Sequence, residues 1–138
     1  MYRKAIMMII KKNDLYLIVK HNMSSQWAFP GGGIERGESY VDTMIRECFE
    51  EFGIKNEDFL EIKDTGKHHK YELPKRFRNG YEGQNRRLIV GEVLDPKIKV
   101  NREEITHYKW VSFEDVCKMI PFEDFISFLK ELKNDGIV

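Results

Sequence analysis

The chain has 138 residues, 41% of them hydrophobic and 12% aromatic, which is enough for a domain with one apolar core. Its 23 Lys and Arg residues balance its 23 Asp and Glu residues, so net charge draws it neither to nucleic acid nor to a membrane. Lys11, Lys12 and Asp14 interrupt the N-terminal apolar runs, and Cys48 and Cys117 lie in segments of helical spacing that favour reduced thiols. We therefore expect a soluble, cytoplasmic protein without a signal peptide, in which a local basic patch holds any polyanionic ligand.

The first elements along the chain are a predicted β-hairpin and a glycine-rich loop. Ala5 to Ile10 and Leu15 to Val19 are apolar runs separated by Lys-Asn-Asp, a turn-forming sequence. After them, Pro30, the glycines at 31–33 and Gly37 are expected to exclude regular structure. Backbone of this kind can approach a ligand closely, so the loop is the first candidate functional segment.

The next segment is predicted to be an α-helix from Ser39 to Phe52. Apolar residues recur in it at helical spacing, and Ser39 with Asp42 resembles a capping box. Gly53 follows directly and is a suitable C-terminal cap.

The second half of the chain predicts three strands, a polar stretch and two helices. The strands are Phe59 to Asp64, Arg87 to Val93 and His107 to Val111, and the helices are Phe113 to Ile120 and Phe122 to Leu132, the second begun by Pro121. The polar stretch, Lys67 to Asn85, is rich in His, Lys and Arg and is predicted to be partly loop. Strands around a central helix, followed by terminal helices, indicate an α/β fold whose mixed sheet is covered on both faces.

Three glutamates on the central helix form the strongest chemical signal. Glu47, Glu50 and Glu51 stand at i, i+3 and i+4, away from the apolar stripe, where their like charges repel. Arg46 reaches Glu50 but supplies one charge against three, whereas hard divalent cations such as Mg²⁺ would offset the whole cluster. Alternatively, the three glutamates form an acidic helix face that is simply solvated. The glycines before the helix argue against this interpretation, because exposed amides at a helix start favour phosphate binding.

The same residues resemble the Nudix hydrolase family. From Gly32 to Ile54 the chain fills every fixed position of the Nudix box, Gx5Ex7REUxEExGU, with Cys48 in the first aliphatic position. The resemblance implies a single Nudix domain over residues 1–138, an α/β/α sandwich with a mixed sheet, and hydrolysis of a nucleoside diphosphate linked to another group. It implies Mg²⁺, with Mn²⁺ as a substitute, held by Glu47, Glu50 and Glu51, with the carbonyl of Gly32 as a further ligand.

The resemblance leaves two roles open. Arg46 and Glu38 match positions that orient the acidic face, although a simple structural ion pair is an equal alternative. A carboxylate outside the ligand set would take the proton of the attacking water, and both Glu51 and Glu104 are candidates for that base. Glu104 is also a candidate ligand, or a surface charge beside Glu103.

Other segments are similar to dinucleoside polyphosphate hydrolases and RNA 5′-pyrophosphohydrolases within that family. The similarity lies in the stretches 71–77 and 81–90, in Tyr2-Arg3 and in the region of Phe122. It implies that Arg3 contacts phosphate and that Phe122 stacks on a base. The chain departs from those enzymes in two places. Gly31 follows Pro30 where they usually have a polar residue, and the strand after Gln84 is less aromatic than theirs.

Further substrate-binding candidates come from residue chemistry and from this similarity. Residue chemistry indicates Trp27, Gly31, Lys75 and Arg86, and the similarity implies Gln84, which lies in the GQ segment. Basic side chains there would hold a long phosphate chain or form a solvated loop. The aromatic rings of Trp27, Phe29 and Phe122 would stack on a base or belong to the core. His68 and His69 have no metal-like spacing and are expected to face solvent.

Three functions remain as hypotheses. The first is hydrolysis of nucleoside 5′-polyphosphates, either a dinucleoside tetraphosphate or the 5′ end of triphosphorylated RNA. The second is hydrolysis of dNTPs, nucleotide sugars or ADP-ribose. The third is a non-catalytic nucleotide- or RNA-binding module, which the complete set of box glutamates disfavours. A monomer and a homodimer are both compatible with the sequence.

Overall fold

A six-stranded mixed sheet forms the centre of the computed structural model, which describes residues 1–138 with the side chain of Phe77 excepted. The strands are β1 (Tyr2–Lys12), β2 (Leu15–His21), β3 (Gly31–Gly33), β4 (Phe59–Glu72), β5 (Gly83–Val93) and β6 (Ile105–Ser112). They are ordered β4-β5-β1-β2-β6, with β3 paired to β1 outside this path. Only the β1–β5 pair is parallel among these strands, and the predicted hairpin is β1 with β2.

Helices cover both faces of the sheet, which confirms the predicted α/β/α arrangement. The helices are α1 (Tyr40–Phe52), α2 (Phe113–Met119) and α3 (Glu123–Asn134). Because side chains alternate along a strand, Ile6 and Met8 of β1 pack with Met44 of α1, whereas Met7 packs with Leu129 of α3. None of the helices that the structure describes is long and apolar enough to cross a membrane.

The start and end of α1 are fixed as the sequence predicts. The Ser39 hydroxyl accepts a hydrogen bond from the Asp42 amide at 3.0 Å, and the Asp42 carboxylate accepts one from the Ser39 amide at 3.1 Å. Such a cap contributes about 1 kcal/mol. Gly53 ends the helix with φ of 68°, a left-handed conformation that favours glycine. The box glutamates are therefore presented by a helix that is anchored at both ends.

Three predictions about the elements were wrong. The glycines at 31–33 are not irregular, because they pair with Ala5, Ile6 and Met7 of β1 as strand β3. The strands β4 and β5 were predicted too short, because β4 continues to Glu72 and pairs with β5 from Gly83 onward, whereas residues 73–82 lie outside the strands, as the partly looped character predicted for Lys67 to Asn85 requires. Polar side chains on both faces of this ribbon concealed it from the hydrophobic pattern.

The third error concerns the last helix. Pro121 does not begin it, because Phe122 has the extended conformation of an N-cap and α3 starts at Glu123. A proline excludes the helical conformation of the residue before it, and Ile120 accordingly ends α2. The result is a tight corner at 120–122 that brings Phe122 to the sheet.

Candidate active site

An acidic cavity of about 420 Å³ lies between α1, β3 and the turn before β6. It is lined by the glycines of β3, by Glu47 and Glu51, by His21 and Asn22, and by Glu103 and Glu104. The β3 backbone lies directly against the helix, since a Cβ atom on Gly32 would collide with the Glu47 carboxylate. Three predicted site residues, Gly32, Glu47 and Glu51, are thus brought together with the more distant Glu104.

Arg46 organises the carboxylates around this cavity. Its Nε and Nη2 atoms donate to the two oxygens of Glu38 at 2.7 and 2.9 Å. Its Nη1 atom donates to Glu47 at 2.8 Å and to Glu50 at 3.2 Å, and Nη2 also donates to the carbonyl of Gly33 at 3.0 Å. The hydrogen bonds from Arg46 lower the pKa of Glu38 to about 2. One guanidinium therefore ties the loop before α1, the helix and β3 together.

Glu51 is the one box glutamate of the helix that Arg46 does not bind. Its side chain is buried, at 3% exposure, and its Oε2 atom has no hydrogen-bond partner. Burial, followed by the charges of Glu47, Glu104 and Glu50, raises the pKa of Glu51 to about 9. A buried carboxylate without a partner is costly, and a solvated helix face does not account for it.

The side chains of the acidic cavity are of the kind that bind a metal ion. No three His, Cys, Asp or Glu side chains among those described converge closely enough to hold an ion, because Arg46 holds Glu47 and Glu50. Glu51, whose Oε2 atom has no partner, nevertheless lines a cavity with three other carboxylates, Glu47, Glu103 and Glu104. A hard divalent cation is the ligand whose chemistry matches this donor set. The residues therefore fit a Mg²⁺-type cation.

His21 is a member of the acidic cavity that sequence patterns did not identify. It ends β2 at a register shift in the pairing with β6, and burial lowers its pKa while Glu104 opposes the change. A single histidine at the end of an apolar strand has no distinctive sequence signal. Its position depends on the pairing of β2 with β6, which the sequence does not specify.

A second, aromatic cavity of about 470 Å³ lies on the face of the sheet that α3 covers. Its walls include Phe29, His69, Tyr71, Phe122 and Phe125, together with Arg86. Lys70 and Asp124 also line it. The sequence predicted Arg86 and Phe122 as substrate-binding residues, and the structure brings them into the same cavity.

Arg86 and His69 face each other across the β4–β5 pair. Arg86 Nη2 lies 2.9 Å from His69 Nδ1, and the guanidinium lies over the ring of Tyr71 with its carbon 4.5 Å from the centroid. His69 also packs against Phe125 and Phe128 with ring centroids 4.9 and 5.7 Å away. The expectation that His69 faces solvent was therefore wrong, while His68 is exposed as predicted.

One continuous stretch of chain connects the two cavities. Ala28 and Phe29 line the aromatic cavity, and the β3 glycines that follow line the acidic cavity. Arg3 lies beside the end of β3 that is farther from Phe29, since a Cβ atom on Gly33 would collide with its guanidinium. An elongated ligand placed along β3 would contact both cavities and Arg3.

Six predicted site residues line neither cavity, namely Arg3 and Arg46, described above, and Trp27, Glu50, Lys75 and Gln84. Glu50 is half-exposed and is held by Arg46, and Lys75 is exposed in the 3₁₀ turn Lys75–Phe77. Trp27 packs edge-on against His107 under the Lys20 ammonium. Gln84 accepts a hydrogen bond from the Tyr71 hydroxyl at 3.0 Å, so it touches a wall of the aromatic cavity.

Comparison with known proteins gives a consistent result. The family model for the NUDIX domain matches residues 1–130. A protein of Pelagibacter ubique named RNA pyrophosphohydrolase is 27% identical, and the alignment covers 91% of this chain and 89% of the relative.

Solved structures share the fold. The E. coli dihydroneopterin triphosphate pyrophosphohydrolase superposes with a TM-score of 0.78 at 18% identity, over 94% of this chain and 95% of the other. A C. elegans Ap4A hydrolase in a binary complex superposes with a TM-score of 0.74 at 20% identity, over 96% of each chain. These two similarities establish the architecture alone.

Proposed function

This chain belongs to the Nudix family, and from that premise we propose that it is a divalent-metal-dependent pyrophosphohydrolase of nucleoside 5′-polyphosphates. The proposal treats residues 1–138 as one hydrolase domain. The two cysteines are free thiols, which supports a reducing cytoplasm as its location.

Glu51 is the observation that carries the proposal. Its side chain is buried, with one oxygen unpartnered, at the wall of a cavity that three further carboxylates line. A folded protein retains such a group when a ligand completes it, because a buried polar group without a partner otherwise costs on the order of 2–7 kcal/mol. The missing partner is cationic.

Glu47, Glu51 and the carbonyl of Gly32 are the groups that we propose as metal ligands, with Glu50 at the outer edge. When bound there, divalent cations would offset the charge of phosphate oxygens and lower the pKa of a water molecule. Arg46 acts as the positioning residue, because its bonds to Glu38, Glu47 and Gly33 fix the helix against β3.

Glu104 is the residue that we propose as general base. It lines the acidic cavity from the solvent side, whereas the buried carboxylate of Glu51 is better suited to bind a cation. In the reaction, the water oxygen forms a bond to phosphorus, the bond from phosphorus to the bridging oxygen breaks, and the water proton passes to Glu104. The leaving phosphate departs with the bridging oxygen.

The aromatic cavity supports a nucleoside as the group attached to the phosphate chain. Its aromatic walls suit the faces of a base, and β3 with Arg3 leads from it to the carboxylates. We propose that Phe122 and Arg86 contact the base and that Arg3 contacts phosphate. The name of the Pelagibacter relative supports an RNA 5′ end as substrate, and a dinucleoside tetraphosphate presents the same 5′-polyphosphate group.

The experiment that tests the proposal is a product analysis with and without Mg²⁺. Diadenosine tetraphosphate, a 5′-triphosphorylated short RNA, dNTPs and ADP-ribose are offered side by side. We expect Mg²⁺-dependent release of ATP and AMP, or of phosphate or pyrophosphate from the RNA. Glu51→Gln serves as the matched control and should lower turnover at the same Mg²⁺ concentration.

Other outcomes would replace parts of the proposal. Preferential turnover of dNTPs or ADP-ribose would keep the metal chemistry and overturn the substrate assignment. Tight Mg²⁺-dependent nucleotide binding without any product would make the chain a binding module instead of an enzyme.

A further inference from the structure

Arg86 is a cation that the fold leaves without a counter-ion. Among the described side chains, no carboxylate forms an ion pair with it, and its contacts are the neutral ring of Tyr71 and the imidazole of His69. Its Nε atom is buried and has no hydrogen-bond partner. Burial also lowers the pKa of Arg86, which shows how poorly the site solvates the charge.

The neighbouring Arg87 shows that the fold is able to provide a guanidinium with a carboxylate partner. Arg87 projects to the opposite face of the sheet, where Nε and Nη2 donate to Asp64 at 2.7 and 3.1 Å. Its guanidinium lies over the Tyr40 ring. The two arginines are adjacent in β5, yet only the one in the aromatic cavity retains an unused donor.

His69 does not neutralise Arg86. Its Nδ1 atom faces the guanidinium and therefore accepts the hydrogen bond, which requires a neutral ring with the proton on Nε2. Burial and the charge of Arg86 both lower the pKa of His69, in agreement with this tautomer. The imidazole thus orients the guanidinium through Nη2, and the Nε–H of Arg86 remains without an acceptor.

The walls of the aromatic cavity define what that acceptor is. A phosphate group needs several donors, whereas most of this cavity is formed by aromatic and aliphatic side chains. A flat heteroaromatic ring with two adjacent acceptors on one edge would pack against the aromatic walls and accept two hydrogen bonds from the Arg86 guanidinium. Guanine has such an edge in O6 and N7, and adenine replaces O6 with an amino donor.

We propose that the aromatic cavity selects guanine over adenine, with the Arg86 fork donating to O6 and N7 of the base. Asp124 lines the same cavity and supplies an acceptor for the N1–H and 2-amino donors of guanine. The inference rests on the proposed function, because it specifies the nucleoside of the same substrate. It makes Arg86 a specificity-determining residue.

The test is isothermal titration calorimetry with GMP and AMP in the presence of EDTA. The two ligands carry the same phosphate, so their affinity ratio reports the base alone. We expect GMP to bind at least about fivefold tighter than AMP. IMP, which keeps O6 and N7, should retain most of this preference, and 7-deaza-GMP, which lacks N7, should lose it.

Arg86→Gln is the decisive variant, because a glutamine amide pairs with the N6 and N7 atoms of adenine instead. It should bring the GMP-to-AMP affinity ratio to about one or reverse it. Arg87→Gln is the matched control and should keep the ratio of the unmodified protein. Because the GMP-to-AMP affinity ratio is measured within each variant, a loss of stability affects both affinities alike and leaves the ratio unchanged.

Three results would overturn the inference: equal affinities for GMP and AMP, no binding of either, or a guanine preference that survives Arg86→Gln. Its failure is distinguishable from failure of the proposed function. Mg²⁺-dependent hydrolysis without base preference would leave the function standing and remove the inference. Guanine-selective binding without hydrolysis of any polyphosphate would do the opposite.

Discussion

The acidic and aromatic cavities each contain one ionisable side chain with a buried hydrogen-bonding atom that has no partner. In the acidic cavity it is Glu51, an acceptor without a donor, and in the aromatic cavity it is Arg86, a donor without an acceptor. Burial shifts both pKa values toward the neutral form, upward for Glu51 and downward for Arg86. The two sites are thus opposite in charge and alike in what the fold leaves incomplete.

The difference in charge indicates that the two cavities have separate functions. Carboxylates that await a cation are suited to phosphoryl chemistry, whereas a guanidinium between aromatic walls is suited to recognising a base. Changes in the acidic cavity should therefore lower kcat, and changes in the aromatic cavity should alter KM or base preference. The experiments below test this division, in order of decreasing effect.

The largest effect is expected for Glu104→Gln. Removing a general base lowers kcat by about 10²- to 10⁴-fold, and the proposed metal ligands are unchanged, so the affinity for Mg²⁺ should be kept. Steady-state kinetics over a Mg²⁺ titration measures both quantities. Glu103→Gln, one residue away, is the control for the loss of one negative charge.

The same Mg²⁺ titration should distinguish Glu51→Gln from Glu104→Gln by the response of their activity to added metal. As a proposed ligand, it should weaken Mg²⁺ binding, so that added metal restores part of the lost activity. If added metal restores activity in both variants alike, both glutamates are ligands, and Glu104 is not the base.

A smaller loss is expected for Arg46→Lys. Lysine keeps the charge but cannot bind Glu38, Glu47 and Gly33 together, and losing such a supporting contact costs about 10- to 100-fold in activity or metal affinity. Measuring kcat/KM and Mg²⁺ affinity checks this. Arg36→Lys, at an exposed position before α1, is the matched control. An unchanged Mg²⁺ affinity in Arg46→Lys would show that the guanidinium has only a structural role.

The contrast between the cavities also explains what the sequence could predict. The acidic cavity rests on a short segment, Gly32 to Ile54, in which the spacing of residues on one helix determines their relative positions. Glu47 and Glu51 were therefore located from the sequence, and so were both caps of α1. That Glu51 is buried and Glu50 exposed depends on packing against β3 and could not be inferred.

The aromatic cavity was less predictable because it is assembled from distant segments. His69 and Arg86 become neighbours through the register of β4 with β5, and two polar strands carry no hydrophobic pattern that would fix a register. Phe122 joins them only because Pro121 displaces the start of α3. Arg86 and Phe122 were candidates by residue chemistry, whereas the partner of Arg86 had no sequence signal.

The buried carboxylate of Glu51 should also be measurable as a stability effect. Its ordinary pKa is 4.5 and its pKa in the folded protein is about 9, so the metal-free protein loses stability as pH rises from 4.5 toward 9. Glu51→Gln removes this loss and should raise Tm in EDTA at pH 8, with a gain on the order of 2 kcal/mol. The difference should vanish near pH 4, and thermal unfolding at both pH values measures it. A lower Tm for the variant at pH 8 would show that Glu51 is adequately solvated without a metal.

The smallest effect is expected at the rim of the aromatic cavity. Phe122 is 49% exposed there, so Phe122→Leu should leave Tm unchanged and remove only the stacking of a base. Stacking is worth about 1–3 kcal/mol, and a half-exposed ring should contribute the lower end, which corresponds to a KM about fivefold higher. The value of kcat should remain constant, because Phe122 lies outside the acidic cavity.

Phe49→Leu is the control, because it changes an aromatic ring of similar exposure, 58%, that lines neither cavity. It should alter neither KM nor kcat. A fall in kcat for Phe122→Leu would mean that base contacts contribute to the transition state, and the separation between recognition and chemistry would then be incomplete.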